Sequence, residues 1–106
     1  MELFRGDTFK FNFYATQEDG TNYTFQKGDT IKVGIKNKLT NSKCALYRKI
    51  VIEEPTSEIP VVFTHEEMKM TCEGDKLLEV EWTDEYGNVA TLYQEKITIV
   101  GDVINE

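Results

Sequence analysis

The feature that most constrains this chain is a run in which every second residue is an aromatic ring, Phe9-Lys10-Phe11-Asn12-Phe13. A helix would scatter those rings around its circumference. An extended strand puts all three on one face and leaves Lys10 and Asn12 on the other. The same period of two returns in Ile31-Lys32-Val33-Gly34-Ile35-Lys36, in Ile59-Pro60-Val61-Val62-Phe63 and in Leu78-Glu79-Val80-Glu81-Trp82. Leu46, Ile50 and Ile52 form a further stripe, interrupted by Arg48, whose long stem is expected to lie along a sheet edge with its guanidinium in water. Tyr23-Thr24-Phe25 reads as a short strand or extended segment. Val89 to Val100 reads as a long last strand that pairs with the one before it. Pro60, which lacks a ladder donor, places its strand at an edge or at a strand start.

Turn chemistry separates these stripes. Asp19-Gly20, Lys27-Gly28-Asp29 and Glu85-Tyr86-Gly87-Asn88 are tight-turn sequences, Asn37 to Lys43 is a polar loop, and Glu53 to Ser57 breaks the pattern at Pro55. Thr64-His65-Glu66-Glu67 has the hydroxyl and the Glu three residues later of a capping box, which predicts one helical turn over Glu66–Met70. Gly74-Asp75 closes that connection, and Lys76 to Thr83 is the next strand. Six or seven strands at this spacing predict an all-β fold, an antiparallel β-sandwich or small barrel of about seven strands with at most one short helical turn. Residues 1–106 form one domain, with Gly101 to Glu106 as a frayed tail. No helix is long enough for a βαβ crossover, so parallel pairing is not expected.

The 106 residues suffice for one core without a metal or disulfide staple. The net charge of −7, from 19 acidic and 12 basic residues, repels phosphate backbones and anionic lipid alike. Nucleic acid and membrane are therefore not expected partners. No apolar run approaches the roughly 20 residues of a membrane helix, and Met1-Glu2-Leu3-Phe4-Arg5 has no basic-then-apolar leader pattern. The expected location is a cytoplasm, unless assembly or lysis carries the protein out. Cys44 and Cys72 stand alone, without CxxC spacing, and in that compartment free thiols are the expectation.

Chemistry-bearing patterns are sparse. His65, the sole histidine, sits in the capping turn, and Ser42 and Ser57 lie in loops, so no nucleophile-base pair is suggested. Two cysteines and one histidine without finger spacing do not make a zinc site. Glu79 and Glu81 share a strand face as a glycosidase pair would, but a solvated strand face explains them with less. Glu18-Asp19-Gly20-Thr21-Asn22 is rich in oxygen yet lacks EF-hand ligand spacing. Trp82 shares its stripe with Leu78 and Val80, which favours core packing over a sugar platform. Catalytic, metal and cofactor sites are accordingly expected to be absent, and the chain is not expected to be an enzyme.

The opening Phe4-Arg5-Gly6-Asp7-Thr8-Phe9 runs into the aromatic strand, then a polar Asp19-Gly20 turn, then Gly28-Asp29-Thr30-Ile31-Lys32-Val33-Gly34-Ile35-Lys36. The Pro55 break, Thr64 to Glu67, and the hairpin Glu81 to Asn88 follow in order. This succession resembles the immunoglobulin-like domain at the N-terminus of phage baseplate upper proteins and related prophage structural proteins. An integrin-type reading of Arg5-Gly6-Asp7 has only three common residues behind it. Baseplate upper proteins continue into helical and receptor-carrying regions, so this chain reads as a free-standing protein or as an excised domain, with Met1 and the polar tail favouring an intact short frame. The resemblance implies an immunoglobulin-like sandwich and a non-enzymatic module that docks onto a protein of a tail, baseplate or virion, with self-association as a further form. The alternative is a carbohydrate- or ligand-binding sandwich. Arg and exposed Tyr dominate interface energetics, so Arg5, Asp7, Tyr14, Tyr23, Tyr47 and Tyr86 are the candidate contacts.

Overall fold

The computed structural model describes residues 1–37, 44–71 and 73–101. The chain runs β1 (Glu2–Phe4), β2 (Phe9–Phe13), β3 (Thr30–Asn37), β4 (Cys44–Val51), β5 (Ile59–Phe63), α1 (His65–Lys69), β6 (Gly74–Thr83) and β7 (Val89–Val100). Two sheets result: a curled mixed sheet of five strands in the order β1-β7-β6-β3-β4, and a two-stranded ribbon, β2-β5. Lys38 to Lys43 of the expected polar loop, Cys72, and Asp102 to Glu106 of the expected tail lie outside the described residues.

The alternation places the core as expected. Ile31, Val33 and Ile35 of β3 are fully buried and stand opposite Trp82, Val80 and Leu78 of β6 in register. From the ribbon, Phe9, Phe13, Ile59, Val61 and Phe63 enter the same apolar cluster, with Phe25, Met68, Ile97 and Ile99. Lys10 and Asn12 are exposed, and Phe11 is half-buried against the cluster. Burying a Val, Ile or Phe side chain stabilises by about 1.5–3 kcal/mol, so these residues hold the two sheets together.

Three expectations need correction. The chain begins in a strand, β1, that its three residues were too few to announce. That strand pairs in parallel with β7, Glu2 opposite Thr98 and Phe4 opposite Val100, so the larger sheet is mixed and not purely antiparallel. A parallel pair needs a long connection; here the whole intervening chain supplies it. The β6 ladder opens at Gly74, opposite Ile99, two residues before the expected Lys76. Of the two readings of Tyr23 to Phe25, the short strand is not formed; Phe25 makes a single bridge, to Thr56.

Polar anchors fix the ends. Thr64 caps α1: its Oγ1 accepts from the Glu67 amide at 3.2 Å, and the Glu67 carboxylate accepts from the Thr64 amide at 3.0 Å. Arg48 lies on the edge strand β4, as expected, but its guanidinium is engaged by protein groups and not left in water, because the ribbon and α1 pack beside that edge. Its guanidinium pairs with the Glu67 carboxylate, donates to the Val62 carbonyl at 2.9 Å, and stands 5.0 Å from the centre of the Phe63 ring. One side chain therefore ties the larger sheet, the ribbon and the helix together. Gly28 adopts φ 98°, which favours glycine, and lets Asp29 turn back so that its buried carboxylate accepts from the Gln26 amide at 2.9 Å.

Candidate functional site

The ribbon is narrower than the sheet it covers, and this leaves an opening. Strand β2 pairs with β5 on one side only. Strand β7 is 12 residues long, but β1 pairs with just Thr98, Ile99 and Val100. The Thr98 amide donates to the Met1 carbonyl at 2.9 Å, and the Val100 carbonyl accepts from the Arg5 amide at 2.8 Å. Strand alternation therefore turns the backbone groups of Gln94 and Lys96 to the same side, where they have no ladder partner among the described residues.

Between these two open edges lies a cleft of about 290 Å³, lined by Phe9, Phe11, Asn12, Phe13 and Tyr14 from the ribbon side, by Leu78 and Tyr93 from the larger sheet, and by Met1 ahead of β1. Phe13 and Tyr93 meet edge to face at its base, with ring centroids 6.4 Å apart. Tyr14 and Tyr93 remain 55% and 39% exposed, as large aromatics do where no neighbouring strand covers them. Glu95 follows on the same inward face of β7, opposite Leu78. Its Oε1 accepts a 2.6 Å hydrogen bond from the Tyr93 hydroxyl, while its Oε2 is buried without a hydrogen-bond partner. That hydrogen bond, then burial, then the charge of Glu95 hold the Tyr93 hydroxyl protonated above the usual phenol range.

The six candidate contacts fall on separate parts of the surface. Tyr14 is at the cleft. Tyr47 is 48% exposed on the outward face of the larger sheet. Tyr86 is 82% exposed at the tip of the β6–β7 turn. Tyr23 is half-buried, packed 5.1 Å from Phe25 and 5.2 Å from Trp82, centroid to centroid. Arg5 donates to the Thr71 and Lys69 carbonyls at 3.2 and 2.6 Å, so it closes the C-terminal end of α1. Gly6 makes a sharp turn at φ 92°, and the exposed Asp7 contributes its amide, to the Phe4 carbonyl at 3.1 Å. Sequence reasoning missed Tyr93, Glu95 and the half-open position of Phe11. The alternation marked their faces, but only the strand order shows which faces go uncovered.

The residues weighed for chemistry are occupied in other ways. His65 Nδ1 bonds the Gly6 carbonyl. Asp19 accepts from the Thr21 hydroxyl and amide at 2.6 and 2.9 Å, and these bonds lower its pKa. Glu79 is held by Lys36 at 3.4 Å and Gln94 at 2.7 Å, in a depression of about 200 Å³ over Gly34 that Tyr47 and Glu81 also line. Trp82 packs inward, its ring 6.0 Å from Phe25. Among the described residues no three His, Cys, Asp or Glu side chains converge as metal ligands, and no helix is long and apolar enough to cross a membrane. No family model, curated protein or solved structure matches the chain.

Proposed function

We propose that this chain is a non-enzymatic docking module of the phage or prophage structural class, an immunoglobulin-like sandwich that receives an extended segment of a tail, baseplate or other virion protein. The order β1-β7-β6-β3-β4 over β2-β5 supports the sandwich reading. Last, penultimate, third and fourth strands form one sheet, and second and fifth the other, as in variable-type immunoglobulin connectivity. The phage class rests on the ordered resemblance from Arg5 to Asn88.

The observation that carries docking is the aromatic cleft flanked by open edges on β2 and β7. Main-chain groups there can extend a ladder, and the rings offer pockets for alternate side chains of the incoming strand. The test places a photocrosslinking residue at Tyr14, with Tyr47 as control, in cells making the protein beside its own neighbouring genes. The expected result is a Tyr14-specific adduct that mass spectrometry identifies as a virion protein. Adducts absent at both positions, or equal at both, overturn the reading.

A second reading, a carbohydrate- or ligand-binding module, is favoured by the depression over Gly34. Tyr47 forms one wall there, and Lys32, Lys36, Glu79 and Glu81 supply donors and acceptors. Resonance shifts at Tyr47 on titration with a neutral oligosaccharide would support it, and their absence removes it.

A further inference from the structure

An edge strand beside an apolar cleft is common, and by itself it does not specify an occupant. What distinguishes this edge is Glu95, which stands beside the cleft between two residues that line it. A carboxylate on the inward face of a strand is costly unless its oxygens are bonded. The Tyr93 hydroxyl serves Oε1, and Oε2 is enclosed with nothing hydrogen-bonded to it. Lys76, diagonally across the β6–β7 ladder on the same face, makes no hydrogen bond to Oε2. The neighbours of Glu95 on this face, Leu78 and Tyr93, are both lining residues of the cleft.

From this we infer that the occupant is an extended strand with a cationic side chain, Arg or Lys, which lies along the Gln94–Lys96 edge of β7 and places its charge on Glu95. The inference rests on the docking reading and gives its partner a chemistry. The strand bonds the open backbone groups of Gln94 and Lys96, its apolar residues enter between Phe11, Phe13 and Tyr93, and its cation pairs with the Glu95 carboxylate. Arg fits better than Lys, since a planar fork meets a carboxylate and still has donors for the Tyr93 oxygen. A net charge of −7 draws a basic segment toward this surface before contact.

The probe is a ten-residue peptide of alternating valine and threonine with one central arginine and blocked ends, compared with the same peptide carrying a central glutamate. Binding is followed by amide resonances of the full chain. The account expects the arginine peptide to bind at least about tenfold more tightly, with slowed exchange at Gln94 and Lys96. E95Q should abolish the preference. E85Q, which removes equal charge at the β6–β7 turn, should retain it. Equal binding of both peptides at the cleft overturns the cationic occupant and leaves the docking reading standing. Failure of the arginine peptide to bind, while Tyr14 crosslinks a virion protein, overturns the inference alone. If the same resonances move with protein concentration and no peptide, the occupant is a second copy and the inference falls.

Discussion

The inner face of the larger sheet meets two different fates. Along β3 and β6, Ile31, Val33, Ile35 and Val80 are completely enclosed, because both strands have neighbours on each side and the ribbon lies over them. At β7 the inward Tyr93 stays 39% exposed, and Glu95 points inward beside it. The alternation is equally regular in β6 and through the ribbon's Phe9 to Phe13. What differs is flanking strands: β1 covers three residues of β7, and among the described residues no strand covers the far edge of β2. Periodicity decides which side chains face inward, and strand order decides which of them are sealed.

The comparison can be broken most severely by truncating rings on its two sides. Phe25, fully buried, should lose about 3–5 kcal/mol on replacement by alanine. Phe11→Ala, at the half-open cleft, should lose less than half of that, measured by urea unfolding of both variants. Equal losses would mean that the cleft is packed as tightly as the core.

Next in size is the Arg48–Glu67 clamp across the closed side. The Arg48 hydrogen bond, then the Thr64 amide, lower the Glu67 pKa from 4.5 to about 2. A carboxylate depressed in the folded state adds stability that is complete above its unfolded value, fades as pH falls from about 4.5, and is gone below about 2. Glu67→Gln should therefore cost about 1 kcal/mol at neutral pH, reduced by solvent screening, and nothing near pH 2. A gap between the two proteins that does not close with acid would contradict the clamp.

Gly28→Ala should cost about 1 kcal/mol by thermal unfolding, because φ is 98° and the new Cβ would stand 3.3 Å from the Glu85 side chain. The smallest effect belongs to Tyr47→Ala on the outward face, within about 0.5 kcal/mol of the parent. A larger loss there would give that face a structural role.

Much of this fold is legible in the chain. The stripes of Phe9 to Phe13, Ile31 to Ile35, Ile59 to Phe63 and Leu78 to Trp82 point where their alternation says, since a pleated strand has no other way to separate apolar from polar side chains. Thr64 and Glu67 announce their helix because each satisfies a backbone amide of the other end of the turn. The parallel β1–β7 pair was not legible. It joins residues nearly a whole chain apart, and three residues carry too little pattern to mark a strand. The cleft was hidden for the same reason. Tyr14 was chosen for its residue type, while Tyr93 and Glu95 become visible only when β7 is seen to outrun β1. Residue type alone marks Arg5 as a contact, since arginine often is one, but two helix-end carbonyls engage it.

Native-state amide hydrogen exchange tests the open edge most directly. The free protein should show Val33 and Val80 exchanging only through global unfolding, with Gln94 and Lys96 exchanging orders of magnitude faster despite lying in the middle of a 12-residue strand. Protection at Gln94 and Lys96 equal to that at Val33 would show that a strand already closes this edge, and the docking account would fail with it.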